Sequence, residues 1–381
     1  MFNAKNSVED FIRDLLINLG WEFVPSKDLN REDLDVLLED SLKEALIKIN
    51  PKIKENPERA DEVIYRLRAI IYSARGTGLV KANEEFSKWI LNEKTMPFGE
   101  KGEHVSIKLI DYKNIQNNSF IVTTQFSFTS DETKRPDLLL IVNGIPIVIG
   151  EAKTPVRPSI SWVDAAIQLE EYQNSIPNLF VPNVFCFASE GKTYRVGSIK
   201  LPIEKWQPWR KTTDTVIDSL DEVRNSINLM LSPETVLDIL QNFTLYSTER
   251  GGQKIKILCR YQQYEATNQI IERVIQGKIK KGLIWHFQGS GKSLLMVYAA
   301  KLLRQSPELK SPTVIIVVDR IDLNSQIGGT FNSANVPNMV MADSREELQK
   351  LLQQDTRKII ITTIHKFAEA GGILNERENI I

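Results

Sequence analysis

Residues 135–153 read RPDLLLIVNGIPIVIGEAK, and the reading of this stretch decides the fold. Two apolar runs, 138–142 and 145–149, flank Asn143-Gly144. Both turn residues tolerate positive φ, which makes the pair a strong short-range hairpin signal. A hairpin folds Asp137, at the mouth of the first run, toward Glu151 and Lys153, at the exit of the second. A strict two-residue turn would set Asp137 against Gly150, and that one-residue offset sends Asp137 and Glu151 to opposite faces. A three-residue connection with a left-handed Gly144, a bulge, sets Asp137 against Glu151 instead. Pro146 donates nothing to a ladder, which also favours irregular pairing near the turn. The bulged register is therefore predicted. Glu151 and Lys153 are two apart and share a face in any register.

Two carboxylates and an ammonium at one sheet edge suit a Mg²⁺ site. Mg²⁺ prefers oxygen ligands, keeps several waters and takes one or two protein carboxylates. Such an ion screens a phosphate and lowers the pKa of a bound water. The lysine can orient that water or stabilise charge developing on phosphorus. The plain alternative is a hairpin whose strand ends happen to be charged. Pro136-Asp137 followed by Glu151-Ala152-Lys153 resembles the PD-(D/E)xK nuclease signature, and the whole stretch resembles the restriction (R) subunit of type I restriction–modification enzymes. The resemblance implies a Mg²⁺-dependent DNA endonuclease with Asp137, Glu151 and Lys153 catalytic. In such nucleases a Gln-x-x-x-Tyr pair often follows on a helix, and Gln168 and Tyr172 in WVDAAIQLEEYQNSIP fit it. Their spacing of four places both on one helical face.

A second motif lies in GLIWHFQGSGKSLLMVYAAKLL. The apolar run Leu283, Ile284, Trp285 predicts a strand. Gly289-Ser290-Gly291-Lys292-Ser293 follows, and then apolar residues at helical spacing. A P-loop uses its glycines so that backbone N–H groups can surround phosphate at a helix N-terminus. Lys292 would reach the β- and γ-phosphates of ATP, and the Ser293 hydroxyl would bind Mg²⁺. The full pattern has Gly five residues before Gly291, where this chain has His286. Flanking segments resemble superfamily 2 helicase motifs. Gln263 stands where that family carries an adenine-reading glutamine. Asp319, Arg320, Thr362 and Thr363 would lie at the C-terminal ends of strands, where open α/β sheets place ligands. The family's Asp-Glu pair that completes the ATPase follows the Thr-Thr segment. The chain ends at Ile381 before such a pair, so it is expected to be the N-terminal part of a longer translocase that does not hydrolyse ATP by itself.

The rest of the chain frames these motifs. Its 381 residues allow two or more domains. A hydrophobic content of 42% with 25% charged residues is ordinary for a soluble globular protein, and no apolar run reaches membrane-spanning length. The net charge of −1 gives no global attraction to DNA, so any grip falls to local patches such as Lys134-Arg135 or residues 278–281. Cys186 and Cys259 sit in apolar surroundings, as expected of buried thiols in a reducing cytoplasm. His104, His286 and His365 are too scattered for a zinc site. The N-terminus reads as an amphipathic helix rather than a signal peptide. Ser7 caps it with Asp10 three residues on, Val8, Phe11, Ile12, Leu15, Leu16 and Leu19 form its stripe, and Gly20 ends it. In some PD-(D/E)xK enzymes a first-helix carboxylate joins the metal site. Glu9 is the candidate here, against the alternative of a solvated first-turn Glu favoured by the helix dipole.

These readings combine into an α/β protein. A PD-(D/E)xK nuclease domain, a mixed sheet flanked by helices, is expected over 1–230. It carries a helical insertion over about 30–95, with Leu34, Leu37, Leu38, Leu42 and Leu46 at helical spacing and breaks at Pro51 and Pro57. Strands are predicted in 104–112, 119–128, 183–191 and 193–199. A connector over 231–255 holds a linker at STERGGQK, and a partial RecA-like parallel α/β P-loop domain fills 256–381. The resemblance implies double-stranded DNA as substrate, methyltransferase and specificity subunits as partners, and S-adenosylmethionine only through that complex. Two alternatives remain open at this level: an ATP-driven DNA motor with a structural nuclease fold, and a non-catalytic DNA- or partner-docking module.

Overall fold

The hairpin forms, and its turn is tighter than predicted. In the computed structural model, which describes residues 7–155, 159–211, 213–249, 251–319, 328–332, 336–355, 357–370 and 379–381, Val142 pairs directly with Ile145. Asn143 (φ 51°) and Gly144 (φ 78°) are therefore a two-residue turn with both residues left-handed. The register slips further along, between the pairs Leu140–Val148 and Ile141–Pro146, so the extra residue of the bulge is Ile147. Pro146 cannot extend the ladder, and the irregularity falls immediately after it. Beyond the bulge Leu138 faces Gly150, which carries Asp137 on to Glu151. The predicted consequence holds, while the bulge sits in the strand and not in the turn.

The chain divides into two units, Met1–Thr244 with Lys254–Leu258, and Leu245–Gln253 with Cys259–Ile381. In the first, α1 (Val8–Asn18) is capped reciprocally by Ser7 and Asp10, and Gly20 follows its C-cap. β1 (Glu22–Phe23) is short. The insertion holds α2 (Glu39–Ile49), α3 (Pro51–Glu55), α4 (Arg59–Tyr72), α5 (Ala74–Thr77) and α6 (Leu79–Ile90). Leu34 is exposed and precedes this helical run, while Leu37 and Leu38 are buried in the irregular chain that leads into α2. β2 (Thr95–Met96) pairs with β3 (Val105–Ser106). Only that much of the strand predicted over 104–112 forms; Ile107, Leu109 and Ile110 are buried in irregular chain, which dispenses with alternation. The strand predicted over 119–128 is also interrupted. β4 (Phe120–Thr124) ends at Gln125, whose φ is 53°, and β5 (Phe128–Thr129) then pairs with β6 (Thr133–Lys134).

β7 (Leu138–Val142) and β8 (Ile145–Ala152) stand at the centre of a six-stranded sheet with β9 (Phe185–Ser189) and β10 (Tyr194–Gly197), in the order β1-β4-β7-β8-β9-β10. The β1–β4 and β8–β9 pairs are parallel and the rest antiparallel, so the sheet is mixed. Every residue of β7, and of β8 up to Glu151, is buried, which is why both read as continuous apolar runs. α1 packs on β4 and β8, and α7 (Trp162–Ser175) on β8 and β9. Both glycines of the hairpin leave no room for a side chain beyond Cα. A Cβ at Gly144 would lie 2.4 Å from the Leu38 carbonyl oxygen, and one at Gly150 2.0 Å from the Phe187 ring. α8 (Leu220–Met230) and α9 (Pro233–Asn242) follow, and Trp21 Nε1 donates to the Leu231 carbonyl at 2.7 Å. The stretch read as a linker is a turn: β11 (Thr244–Thr248) and β12 (Lys254–Leu258) lie on either side of Gly251 and Gly252, both at positive φ.

The second unit holds α10 (Tyr261–Gln276) and α11 (Lys292–Gln305). It also holds β13 (Val314–Val318), β14 (Met339–Met341), α12 (Arg345–Gln353), β15 (Ile359–Thr363) and α13 (Ile364–Ala370). The three strands form a parallel sheet, order β13-β15-β14, with Leu348, Leu351, Leu352 and Ile360 in its core. The strand predicted at Leu283-Ile284-Trp285 is absent. Those residues are unpaired, and Trp285 is 89% exposed. A parallel strand of such composition is stable only between neighbours that cover both its faces, and this run has no ladder partner.

Candidate active site

The site forms where β7 begins and β8 ends. The Asp137 carboxylate is held by two donors, the Ala152 amide to Oδ2 at 2.9 Å and Gln125 Nε2 to Oδ1 at 2.9 Å. The Asp137 amide points at Glu151 Oε2, 3.3 Å away. Lys153 Nζ donates to Glu151 Oε1 at 2.9 Å and also bonds Gln168 Oε1. Gln168 in turn bonds the Tyr172 hydroxyl. Both residues lie on α7, whose start is fixed by reciprocal capping between Ser161 and Asp164, and their spacing of four stacks them on one face. The Lys153 amide donates to the Ser189 carbonyl at 2.8 Å, which ties the lysine-bearing chain to β9. All five residues read from the sequence as catalytic candidates thus converge.

The electrostatics follow from burial. Glu151 is 1% exposed. Burial first, and then the negative charge of Asp137, push its carboxyl up to about 8, against the opposing pull of Lys153. Burial and then the charge of Glu151 raise the Tyr172 hydroxyl. Glu9 reaches the same centre. Gln125 Nε2 donates to its Oε2 at 2.7 Å, and its carboxyl is raised chiefly by burial, with Asp137 adding to the rise and the Gln125 bond opposing it. Among the described residues no three His, Cys, Asp or Glu side chains are placed to share one ion, so this centre offers the carboxylate pair with Glu9 set beyond Gln125.

Gln125 was not foreseen. The β4–β7 register, in which Phe120 faces Val142 and Thr124 faces Leu138, runs on to set Gln125 against Asp137. The visible signal was a polar amide ending the alternation of SFIVTTQFSF, and it becomes informative only once that strand is paired with β7.

In the second unit Gly289 and Gly291 are left-handed, and α11 begins at Lys292 with Ser293 in its first turn. Lys292 Nζ donates to the carbonyls of Phe287 (3.0 Å) and His286 (3.2 Å), so the loop curls around its own lysine. Ser290 is buried. Gln263 Oε1 accepts from the Arg260 amide at 2.8 Å while Nε2 donates to the Gly291 carbonyl at 2.9 Å. Its buried amide supports the loop. Asp319 directly follows β13, and Thr362 and Thr363 close β15 beside Val317 and Val318, so these three gather at one end of the sheet. Arg320 lies outside the described residues. No helix among the described residues is long and apolar enough to cross a membrane.

Residues 1–202, more than half of the chain, match the family described as "Type I restriction enzyme R protein N terminus". The chain belongs to the type I restriction enzyme R protein family. Residues 262–381 match a second family, "SWI2/SNF2 ATPase". Among curated relatives of this R protein region, the type I restriction enzyme HindI endonuclease subunit of Haemophilus influenzae is 34% identical, over 99% of the chain and 38% of the relative. The putative type I restriction enzyme MjaIXP endonuclease subunit of Methanocaldococcus jannaschii is 28% identical, over 100% of the chain and 39% of the relative. A second subunit of that organism, MjaVIIIP, is 31% identical over 75% of the chain and 31% of its own length. The chain therefore spans less than two fifths of the length of these R proteins.

Proposed function

We propose that the first unit is a PD-(D/E)xK endonuclease domain that cuts double-stranded DNA, and that the second is the first, RecA-like domain of an ATP-driven DNA translocase. The observation that supports this best is the convergence of Asp137, Glu151 and Lys153 at one sheet edge, backed by Gln168 and Tyr172. The relatives, by name endonuclease subunits of type I restriction enzymes, point the same way.

The donor set fits a hard divalent cation. Two carboxylates lie side by side with one of them buried, a placement that raises the cost of their joint ionisation until a cation compensates it. Asp137 and Glu151 would hold Mg²⁺. When bound, the ion supplies charge compensation for a phosphodiester and acidity for a water. The chain's own residues do the rest. Lys153, fixed between Glu151 and Gln168, presents its ammonium to the attacking water and to the charge that develops on phosphate. The Tyr172–Gln168 pair fixes the lysine in turn, so that it arrives pre-oriented. In the second unit the backbone of residues 289–293 would cradle the ATP phosphates, Lys292 exchanging its loop carbonyls for phosphate oxygens and Ser293 meeting the nucleotide's Mg²⁺. Methyltransferase and specificity subunits are the proposed partners. S-adenosylmethionine belongs to them.

The test uses the complete enzyme with DNA, Mg²⁺ and ATP. Lys153→Ala abolishes cleavage, a loss of about 10² to 10⁴ in rate for a group that moves or orients protons, and spares ATP turnover. Cleavage that survives the substitution refutes the nuclease assignment.

A further inference from the structure

Gln125 occupies a place where glycine would be expected. It ends β4 with φ 53°, a left-handed conformation that side chains other than Asn, Asp or Gly rarely adopt. The bend is held from both sides. The Gln125 amide donates to the Asp137 carbonyl at 3.0 Å, and the Phe126 amide to the Pro136 carbonyl at 3.1 Å. The Phe126 ring is fully buried beneath the Arg31 guanidinium, 3.9 Å from its centroid, and Arg31 Nη1 donates to the Ser127 carbonyl at 2.9 Å. Nothing in that backbone arrangement needs the side chain of residue 125. The side chain instead spends both protons of one amide nitrogen on two carboxylates, Glu9 at 2.7 Å and Asp137 at 2.9 Å.

We propose that Gln125 is a positioning residue of the centre: its neutral amide holds Asp137 in the geometry that, with Glu151, receives a divalent cation, and keeps Glu9 on its far side. This rests on the nuclease reading above. The amide fixes Oδ1 of Asp137 while the Ala152 amide fixes Oδ2, so the carboxylate cannot swing out of register with Glu151. It also spaces Glu9 from Asp137 without cancelling either charge, so the negative potential that attracts a cation is kept. Lysine has comparable reach and would make similar hydrogen bonds, yet its positive charge would compete with the metal. Neutral donors that orient ligand carboxylates are commonly needed for full metal affinity.

Mn²⁺ titrations of this chain by calorimetry, paired with thermal melting, separate positioning from folding. Gln125→Gly removes the side chain and suits the left-handed backbone, so it should melt no lower than the parent while binding Mn²⁺ about tenfold more weakly. Gln125→Lys should bind more weakly than Gln125→Gly. Asp137→Ala should lose the binding altogether. If Gln125→Gly or Gln125→Lys binds like the parent while Asp137→Ala has lost binding, the role given to Gln125 is wrong and the nuclease reading stands. If the parent binds no Mn²⁺, or Asp137→Ala binds as well as the parent, the reading of the centre fails and the role of Gln125 falls with it.

Discussion

At the scale of single residues, the site is a problem in charge. Glu151 is held in the core beside Asp137, and its carboxyl is raised from an ordinary 4.5 to about 8 by burial and that neighbour. An unfolded chain ionises Glu151 near its ordinary value, whereas the folded one resists until about pH 8. This group therefore lowers stability progressively as pH rises from about 4.5 to about 8, with no further change above. Glu151→Gln removes the penalty. Its melting temperature should equal that of the parent near pH 4 and exceed it at pH 8.5, and a variant that melts lower at pH 8.5 contradicts this account. Lys256 carries the opposite sign. It is buried beside Cys186 and donates to the Asn183 carbonyl at 2.6 Å, and burial lowers it to about 7. The folded protein gives up this proton before the unfolded one does, so stability rises with pH between about 7 and 10.5. Lys256→Met should raise the melting temperature more at pH 6.5 than at pH 10, measured by calorimetric scans at both. The charged members of the site were legible because Asp137, Glu151 and Lys153 end apolar runs. Gln125 and Lys256 were not, because a neutral amide after β4 or one lysine in the alternating strand KIKIL gains meaning only from what long-range pairing brings against it.

At the scale of elements, the hairpin is over-determined. Asn143 is buried, its Oδ1 accepts from the Ser119 amide at 2.8 Å, and its Nδ2 donates to the Leu109 carbonyl and to Asn118 Oδ1, each at 2.8 Å. The Leu38 amide donates to the Gly144 carbonyl at 2.8 Å, so the residue leading into α2 sits directly on the turn. Gly144→Ala meets both a positive φ and a backbone oxygen 2.4 Å from the new Cβ. It should cost about 2 to 4 kcal/mol in denaturant unfolding, above the usual range for a surface turn. A loss under about 0.5 kcal/mol, typical of an unconstrained surface site, would show that the turn is free to move. The Asn-Gly signal announced this element, since few residue pairs accept two left-handed positions. The placement of the bulge was not announced. It depends on Pro146 pairing with Ile141 and on the fully buried Phe187 ring filling the space that Gly150 leaves beside β8, and both are facts about neighbouring strands.

At the scale of the whole molecule, the two proposed sites lie in two separate units of one chain. Lys292→Ala should abolish binding of a fluorescent ATP analogue and leave Mn²⁺ binding at the Asp137–Glu151 pair unchanged, because each site is built from residues of its own unit. Loss of both together would show that the two are coupled. The order of the units was legible from the two motifs, each of which carries its own local logic of turn and helix. The short sheet of the second unit was less so, because Leu283, Ile284 and Trp285 have strand composition without a ladder to join. The account depends most on the carboxylates of Asp137 and Glu151 sharing a cation. Crystals of the chain soaked in Mn²⁺ test this directly through the anomalous difference map. A peak about 2.1 Å from an oxygen of each carboxylate, the distance of a hard octahedral site, is the predicted result. A map with no peak between those two side chains at saturating Mn²⁺ would contradict it.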